Sequence, residues 1–379
     1  MKLAILGSGN GGCTVAAHMA LLKHDVSIWD FEKFPQNINA IIENGGISIN
    51  GSVEGFAKLK YAGFDVEQAI DGAEMILVVG PAYSIKNFAL AVKPYLKKGQ
   101  LVCVTPSSCG GAIVFKEALG VALDNPDYIV GEVSTMPYAT RVYEPGKVNV
   151  YHELKGGLYF AALPSDSSNM AFKMFNTLYP CSEHAKSLLM TMLQTGNTII
   201  HPSVTILNAG RIESTQGDFL FYEDGATPAA GKLMKALDDE KLALSDVLDI
   251  GIIRDTKVKI LQEYNSEESY ENGYRTAPGF LGIKAQSTLD TRYMNEDVGY
   301  SLVFISELAK QVNVPTPTTD AVILIASTII NRDYRAEKAL TPATLGIDKM
   351  NVTQMKELFG QNNNKFPRFK TIMELEKSI

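Results

Sequence analysis

Five histidines, His18, His24, His152, His184 and His201, are the side chains best suited to moving a proton at neutral pH. His18 lies in a helix-forming run and His24 at its end, which suits structural or solvated roles, while polar neighbours place His152 and His184 at the surface. His201 differs: it follows the apolar run 198–200 and precedes Pro202, whose ring disfavours a helical conformation for the residue before it. A kink there turns an imidazole out of a buried helix into a cleft. A satisfied core histidine is the alternative that the residues alone leave open.

A second constellation lies at the start of the chain. Lys2–Leu6 reads as a strand and runs into Gly7-Ser8-Gly9-Asn10-Gly11-Gly12, followed by the helix-forming run 14–22. In such a GxGxxG loop Gly7 permits the tight turn, Gly9 lets the backbone approach a pyrophosphate, and Gly12 lets the helix pack close on the strand. Unpaired N–H groups and the helix dipole favour the anion there. Asp30 stands eighteen residues beyond Gly12, at the end of the second strand, where it would accept ribose hydroxyls and repel a 2′-phosphate. No arginine follows it immediately, so NAD is expected over NADP, with Lys33 able to soften the preference. A solvated turn is the plainer role for Asp30.

Around these residues the first half alternates short β-branched runs with amphipathic stretches, the pattern of parallel strands joined by crossover helices. Strands are expected at Lys2–Leu6, Asp25–Trp29, 75–79, 101–105 and 128–133, with a strand pair 148–151 and 158–162 and a helix at 168–178 extending the sheet. Loops at the carboxyl ends of such strands converge on a ligand, which brings in Pro81 and Ala82 after the third strand and Pro106-Ser107-Ser108 after the fourth. Simple turn chemistry explains them equally well. Beyond Cys181 helical periods dominate, at 185–200, 203–215, 228–248, 297–313, 317–331 and 349–360. The expected architecture is α/β: an N-terminal Rossmann dinucleotide-binding domain over 1–182, then an all-helical C-terminal domain over 183–379.

Composition closes off other classes. The 379 residues are long enough for two domains, and a net charge of -7 with dispersed Lys and Arg argues against nucleic acid as a partner. Cys13, Cys103, Cys109 and Cys181 lack CxxC spacing, so neither a structural metal nor a disulfide framework is expected, and a reducing cytoplasm fits. The start of the chain lacks the pattern of a signal peptide. The aliphatic run 321–330 is half the roughly 20 residues of a membrane span and reads as a buried helix, serving either a core or a homodimer interface.

Six separated blocks occur together in order. They are the glycine loop; Gly110-Gly111; Glu132 through Met136-Pro137-Tyr138 to Arg141; Asn197 to Pro202 with 207–213; Phe221 to Pro228; and Thr291 to Val298 running on to 314–317. In this the chain resembles the opine dehydrogenases, the octopine/nopaline dehydrogenase family, over nearly its whole length. The resemblance implies a catalytic pair, His201 with Asp297, and a reductive condensation in which an amino acid and an α-keto acid form an imine that NADH reduces. Without it, Asp297 reads as an acid favoured at a helix start by the dipole. Arg292 and Arg141 are candidates to clamp substrate carboxylates, with surface pairing as the alternative for each. Asn208 either meets substrate or cofactor or bonds its own helix. Two other readings stand beside this one: a ketopantoate- or hydroxyacid-type reductase with a catalytic lysine, for which Lys232 and Lys284 are candidates, and a non-catalytic NAD-binding sensor.

Overall fold

Lys2–Leu6 (β1) is buried from Leu3 onward, as are the strands that flank it, because a parallel sheet covered on both faces needs near-continuous apolar runs. The structure is a computed structural model that describes residues 1–107 and 109–360. Ser108 and the stretch 361–379 lie outside the described residues. In chain order the strands after β1 are Asp25–Trp29 (β2), Ile47–Gly51 (β3), Gly55–Ala57 (β4), Tyr61–Gly63 (β5), Met75–Val78 (β6) and Leu101–Val104 (β7). Ile129–Val133 (β8), Tyr138–Glu144 (β9), Lys147–Glu153 (β10), Leu158–Leu163 (β11) and Ser182–His184 (β12) complete them.

The chain divides into two units. The first comprises 1–153, 159–188 and, among the described residues, 358–360. Its main sheet has the order β12-β11-β8-β7-β6-β1-β2-β5, and β5, β2, β1, β6, β7 and β8 run parallel in the manner of a Rossmann sheet. The order reverses at β1, which lies between β2 and β6 and carries the glycine loop at its carboxyl end. Ligands bind at such a switch point.

The expected pair of late strands forms differently. β11 joins the main sheet antiparallel to β8, whereas β10 leaves it for a second sheet of order β4-β3-β10-β9, parallel to β3 and antiparallel to β9. Alternating burial along β10 fits a sheet with one covered face, in contrast to the fully buried β11.

The second unit comprises 154–158 and 189–357 and is helical. Its longest helix, Pro228–Leu248, starts with Thr227 Oγ1 accepting from Ala230 N–H, has Pro228 in its first turn, and ends on Asp249 in the left-handed region. The helix Pro317–Ile330 departs from the expectation of a buried run. Val322, Ile323 and Ala326 face inward, while Leu324, Ile325 and Ile329 are exposed, because the sequence is aliphatic on both faces although the fold covers one. Among the described residues no helix is long and apolar enough to cross a membrane.

Candidate active site

The glycine loop has the geometry its spacing demands. Gly7 has φ +107° and donates its N–H to Trp29 O at 2.8 Å, and a Cβ there would lie 2.2 Å from Val79 O. A Cβ on Gly12 would fall 1.8 Å from Gly7 O, so only glycine lets the helix Asn10–Leu21 start this close to the strand. At Gly9, by contrast, nothing lies within 4 Å of a built Cβ. Gly9 is also the N-cap, and no side chain caps the helix. An open backbone and uncapped N–H groups fit a pyrophosphate.

Asp30 is buried and shapes this loop from behind. Its Oδ2 accepts from Ser8 N–H at 2.7 Å and from Ser8 Oγ at 2.8 Å, and its Oδ1 accepts from Phe31 N–H at 2.8 Å. A carboxylate oxygen accepts about two bonds, so Oδ1 retains capacity for a ribose hydroxyl. Asn10 Oδ1 accepts from Val142 N–H at 2.8 Å, tying the helix start to β9. Pro81 and Ala82 open a single 3-10 turn, in which Pro81 O accepts from Ser84 N–H and Oγ.

Two further candidates of the first unit bond to their own surroundings. The Ser107 hydroxyl is buried and donates to Glu132 Oε1 at 2.7 Å, while its oxygen accepts from Gly110 N–H, so it braces the loop after β7. Arg141 is exposed on β9 and donates to Thr140 O at 2.9 Å.

In the second unit the expected pair meets. His201 Nδ1 lies 2.7 Å from Asp297 Oδ2 across a sequence separation of 96, and both side chains are about 5% exposed. The carboxylate accepts, so Nδ1 carries the hydrogen and Nε2 keeps its lone pair, toward which the Tyr222 hydroxyl is directed at 3.1 Å. Tyr293 stacks on the imidazole at 3.7 Å between centroids and 6° between planes. Burial lowers the His201 pKa below 6.5; Asp297 opposes by charge and hydrogen bond, Arg292 adds to the lowering and Glu296 opposes it. The neutral imidazole is therefore a base at neutral pH.

The elements that hold this pair differ from the periodicity. Pro202 does not break its helix: Asn197–Leu207 runs through it, and all of Thr198 to Thr205 is buried. A proline inside a helix costs about 3 kcal/mol, which burial of several side chains at about 1.5–3 kcal/mol each offsets. His201 is thus held inside and not turned out by a kink. The break falls at Asn208, whose Nδ2 donates to Val204 O at 2.9 Å and to Gly225 O at 3.2 Å, the second of its two expected roles. Asp297 opens a π-helical turn, Asp297–Leu302, before the α-helix Val303–Gln311. Such turns re-aim side chains and recur at functional sites. Arg292 begins the short helix Arg292–Asn295, is half-exposed, and sets its Nε 3.2 Å from Glu296 Oε2.

Sequence reasoning missed Tyr222, Tyr293 and Glu296. All three lie inside the blocks that carry the resemblance, but only the fold shows that Tyr222 bonds the imidazole, that Tyr293 stacks on it and that Glu296 acts on it by charge.

Residues 184–330 match the family model described as NAD/NADP octopine/nopaline dehydrogenase, alpha-helical domain, and residues 2–106 match that of the NAD-dependent glycerol-3-phosphate dehydrogenase N-terminus. An opine dehydrogenase of Arthrobacter sp. (strain 1C) is 34% identical over 344 residues, covering 88% of this chain and 92% of that protein. The chain belongs to the opine dehydrogenase family. An octopine dehydrogenase solved with NADH and L-arginine has the same fold, with a TM-score of 0.74 at 18% identity over 94% of this chain and 98% of that one. A ketopantoate reductase from Ralstonia eutropha JMP134 overlays less well, with a TM-score of 0.59 at 18% identity over 87% and 99%. Membership makes this opine dehydrogenase family chain an NAD-dependent oxidoreductase acting on the CH–NH group of its donors.

Proposed function

We propose that the chain joins the amino group of an amino acid to the carbonyl of an α-keto acid and, with NADH, reduces the resulting imine to an N-(carboxyalkyl)amino acid. The observation that carries this reading is the buried His201, held by Asp297 at one nitrogen with a lone pair at the other. Three proton transfers precede reduction: one off the substrate ammonium, so that the amine attacks; one from the attacking nitrogen to the new alkoxide, which gives the carbinolamine; and one onto the carbinolamine hydroxyl, so that it leaves as water and an iminium remains. A single neutral imidazole serves the first and the last, taking the proton of the ammonium at Nε2 and returning it to the departing hydroxyl. Asp297 stabilises the imidazolium in between, as an acid does for histidine in hydrolytic triads.

Arg292, with half its side chain exposed, is assigned to the keto-acid carboxylate. Gly9 and the start of the helix Asn10–Leu21 would hold the NADH pyrophosphate, and Asp30 Oδ1 a ribose hydroxyl; the dinucleotide supplies the hydride. Pyruvate is the keto acid of first choice, since an octopine dehydrogenase of this fold has been solved with NADH and pyruvate. A cytoplasmic site of action suits free amino and keto acids as substrates, and the exposed Leu324, Ile325 and Ile329 support a homodimer.

A reductase acting without an amine would call on a lysine. Lys232 is exposed, and Lys284 pairs with the exposed Asp218 at 2.7 Å, so neither is prepared for catalysis. The test follows NADH oxidation with pyruvate alone and with pyruvate plus a panel of amino acids. Turnover that requires the amine supports the condensation. Equal turnover on pyruvate alone supports the reductase, and bound NADH without turnover supports a sensor.

A further inference from the structure

The hydroxyl of Tyr222 occupies the position from which a substrate would address Nε2 of His201. Because Asp297 takes the Nδ1 hydrogen, Nε2 is the acceptor and the phenol is the donor, giving a continuous line from carboxylate through imidazole to phenol. The phenol is not placed there loosely. Tyr222 is buried, and its ring stacks on Phe280 at 4.6 Å and 21° and lies near-parallel to Tyr274 at 6.2 Å and 16°. Phe221, its chain neighbour, meets it edge-on at 5.0 Å and packs against Tyr293, which in turn stacks on the imidazole. The aromatic frame therefore fixes both rings, and with them the hydrogen bond between them.

We infer that Tyr222 is the third member of the proton path, and that substrate exchanges protons with the phenol, which exchanges them with Nε2. This rests on the condensation reading only for the identity of the substrate. The step balances: as the phenolic O–H proton passes to Nε2, the phenolic oxygen accepts one proton from the substrate ammonium, so that tyrosine is neutral before and after and the net change is one proton gained by His201. The reverse sequence delivers that proton to the departing hydroxyl. No ion is formed on the tyrosine, and no co-reactant is needed.

The test is Tyr222→Phe in the full-length protein, which keeps the ring and its stacking, assayed with whichever substrate set the wild type turns over. Failure of amine dependence then sinks the condensation reading by itself, while the ratio of variant to wild type still judges the path. The expected result is a kcat lower by about 100-fold or more, with KM values and NADH affinity within about threefold. A second readout is independent of activity. The phenol donates to the lone pair and so favours neutral imidazole, and its loss should raise the His201 pKa in an NMR titration and move the acid limb of the rate profile to higher pH. Asp297 bonds that ring, Tyr293 stacks on it, and Glu296 and Arg292 act on it by charge; all four are unchanged in the variant. Retention of kcat within threefold, which would mean the phenol merely yields its place to substrate, overturns the inference. So does an unmoved His201 pKa, or a loss of kcat matched by a loss of NADH affinity.

Discussion

Asp297 and Arg292 pull the proton of His201 in opposite directions, and burial adds to the arginine's side. The net lowering keeps the imidazole neutral, so the rate should hold as pH falls toward 6.5 and decline only below it, as protons fill Nε2. Asp297→Asn removes a charge that favours the protonated ring. The acid limb of kcat/KM should therefore move to still lower pH, while the plateau kcat falls by about a thousandfold or more because the imidazolium loses its partner. A pH–rate profile checks both parts, and a limb that moves upward refutes the electrostatic assignment. How little of this the residues disclosed is instructive. His201 alone read more readily as an ordinary core histidine than as a base, and Asp297 as a helix-start acid; order and spacing of whole blocks joined them across 96 positions. Ser107 was singled out by its loop and Arg141 by its guanidinium fork, and the sequence could not disclose the bonds that Ser107 makes to Glu132 and Arg141 to Thr140 O, which are three-dimensional facts.

Among the elements, strand β1, the glycine loop and the helix Asn10–Leu21 were the most legible, because the glycine spacing encodes a close approach that the structure displays directly. Gly12→Ala places a methyl group 1.8 Å from Gly7 O, and since both partners are backbone the helix start must shift. The expected outcome is an NADH affinity lower by about tenfold or more in a fluorescence titration, because the pyrophosphate-facing amides move with it; an unchanged affinity would show that the close approach is not needed for binding. Of the second sheet only β10 was legible, as the expected strand 148–151. β4 spans only Gly55–Ala57, and β9 buries its residues irregularly and pairs with β10 across register shifts, so neither length nor period marked these two. The passage of the helix Asn197–Leu207 through Pro202 was misread for another reason: a local preference gave way to burial on all sides.

At the scale of the whole chain, the residues assigned to the dinucleotide lie in the first unit and the acid–base pair in the second. The change from strand-rich to helix-rich sequence falls near Cys181, and the units part at Leu188 and Leu189. Composition could not foretell that 154–158 joins the second unit and 358–360 the first, because such exchanges depend on contacts distant in sequence. Because the two sets of residues reside in separate units, binding and chemistry should be separable by substitution. The most direct measurement compares His201→Asn with wild type in two assays, NADH affinity and the rate of amine-dependent NADH oxidation. The expected result is an affinity within about twofold and a rate lower by about a thousandfold or more. An equal loss in both assays, or a rate that survives the substitution, would contradict the assignment of His201 as the base.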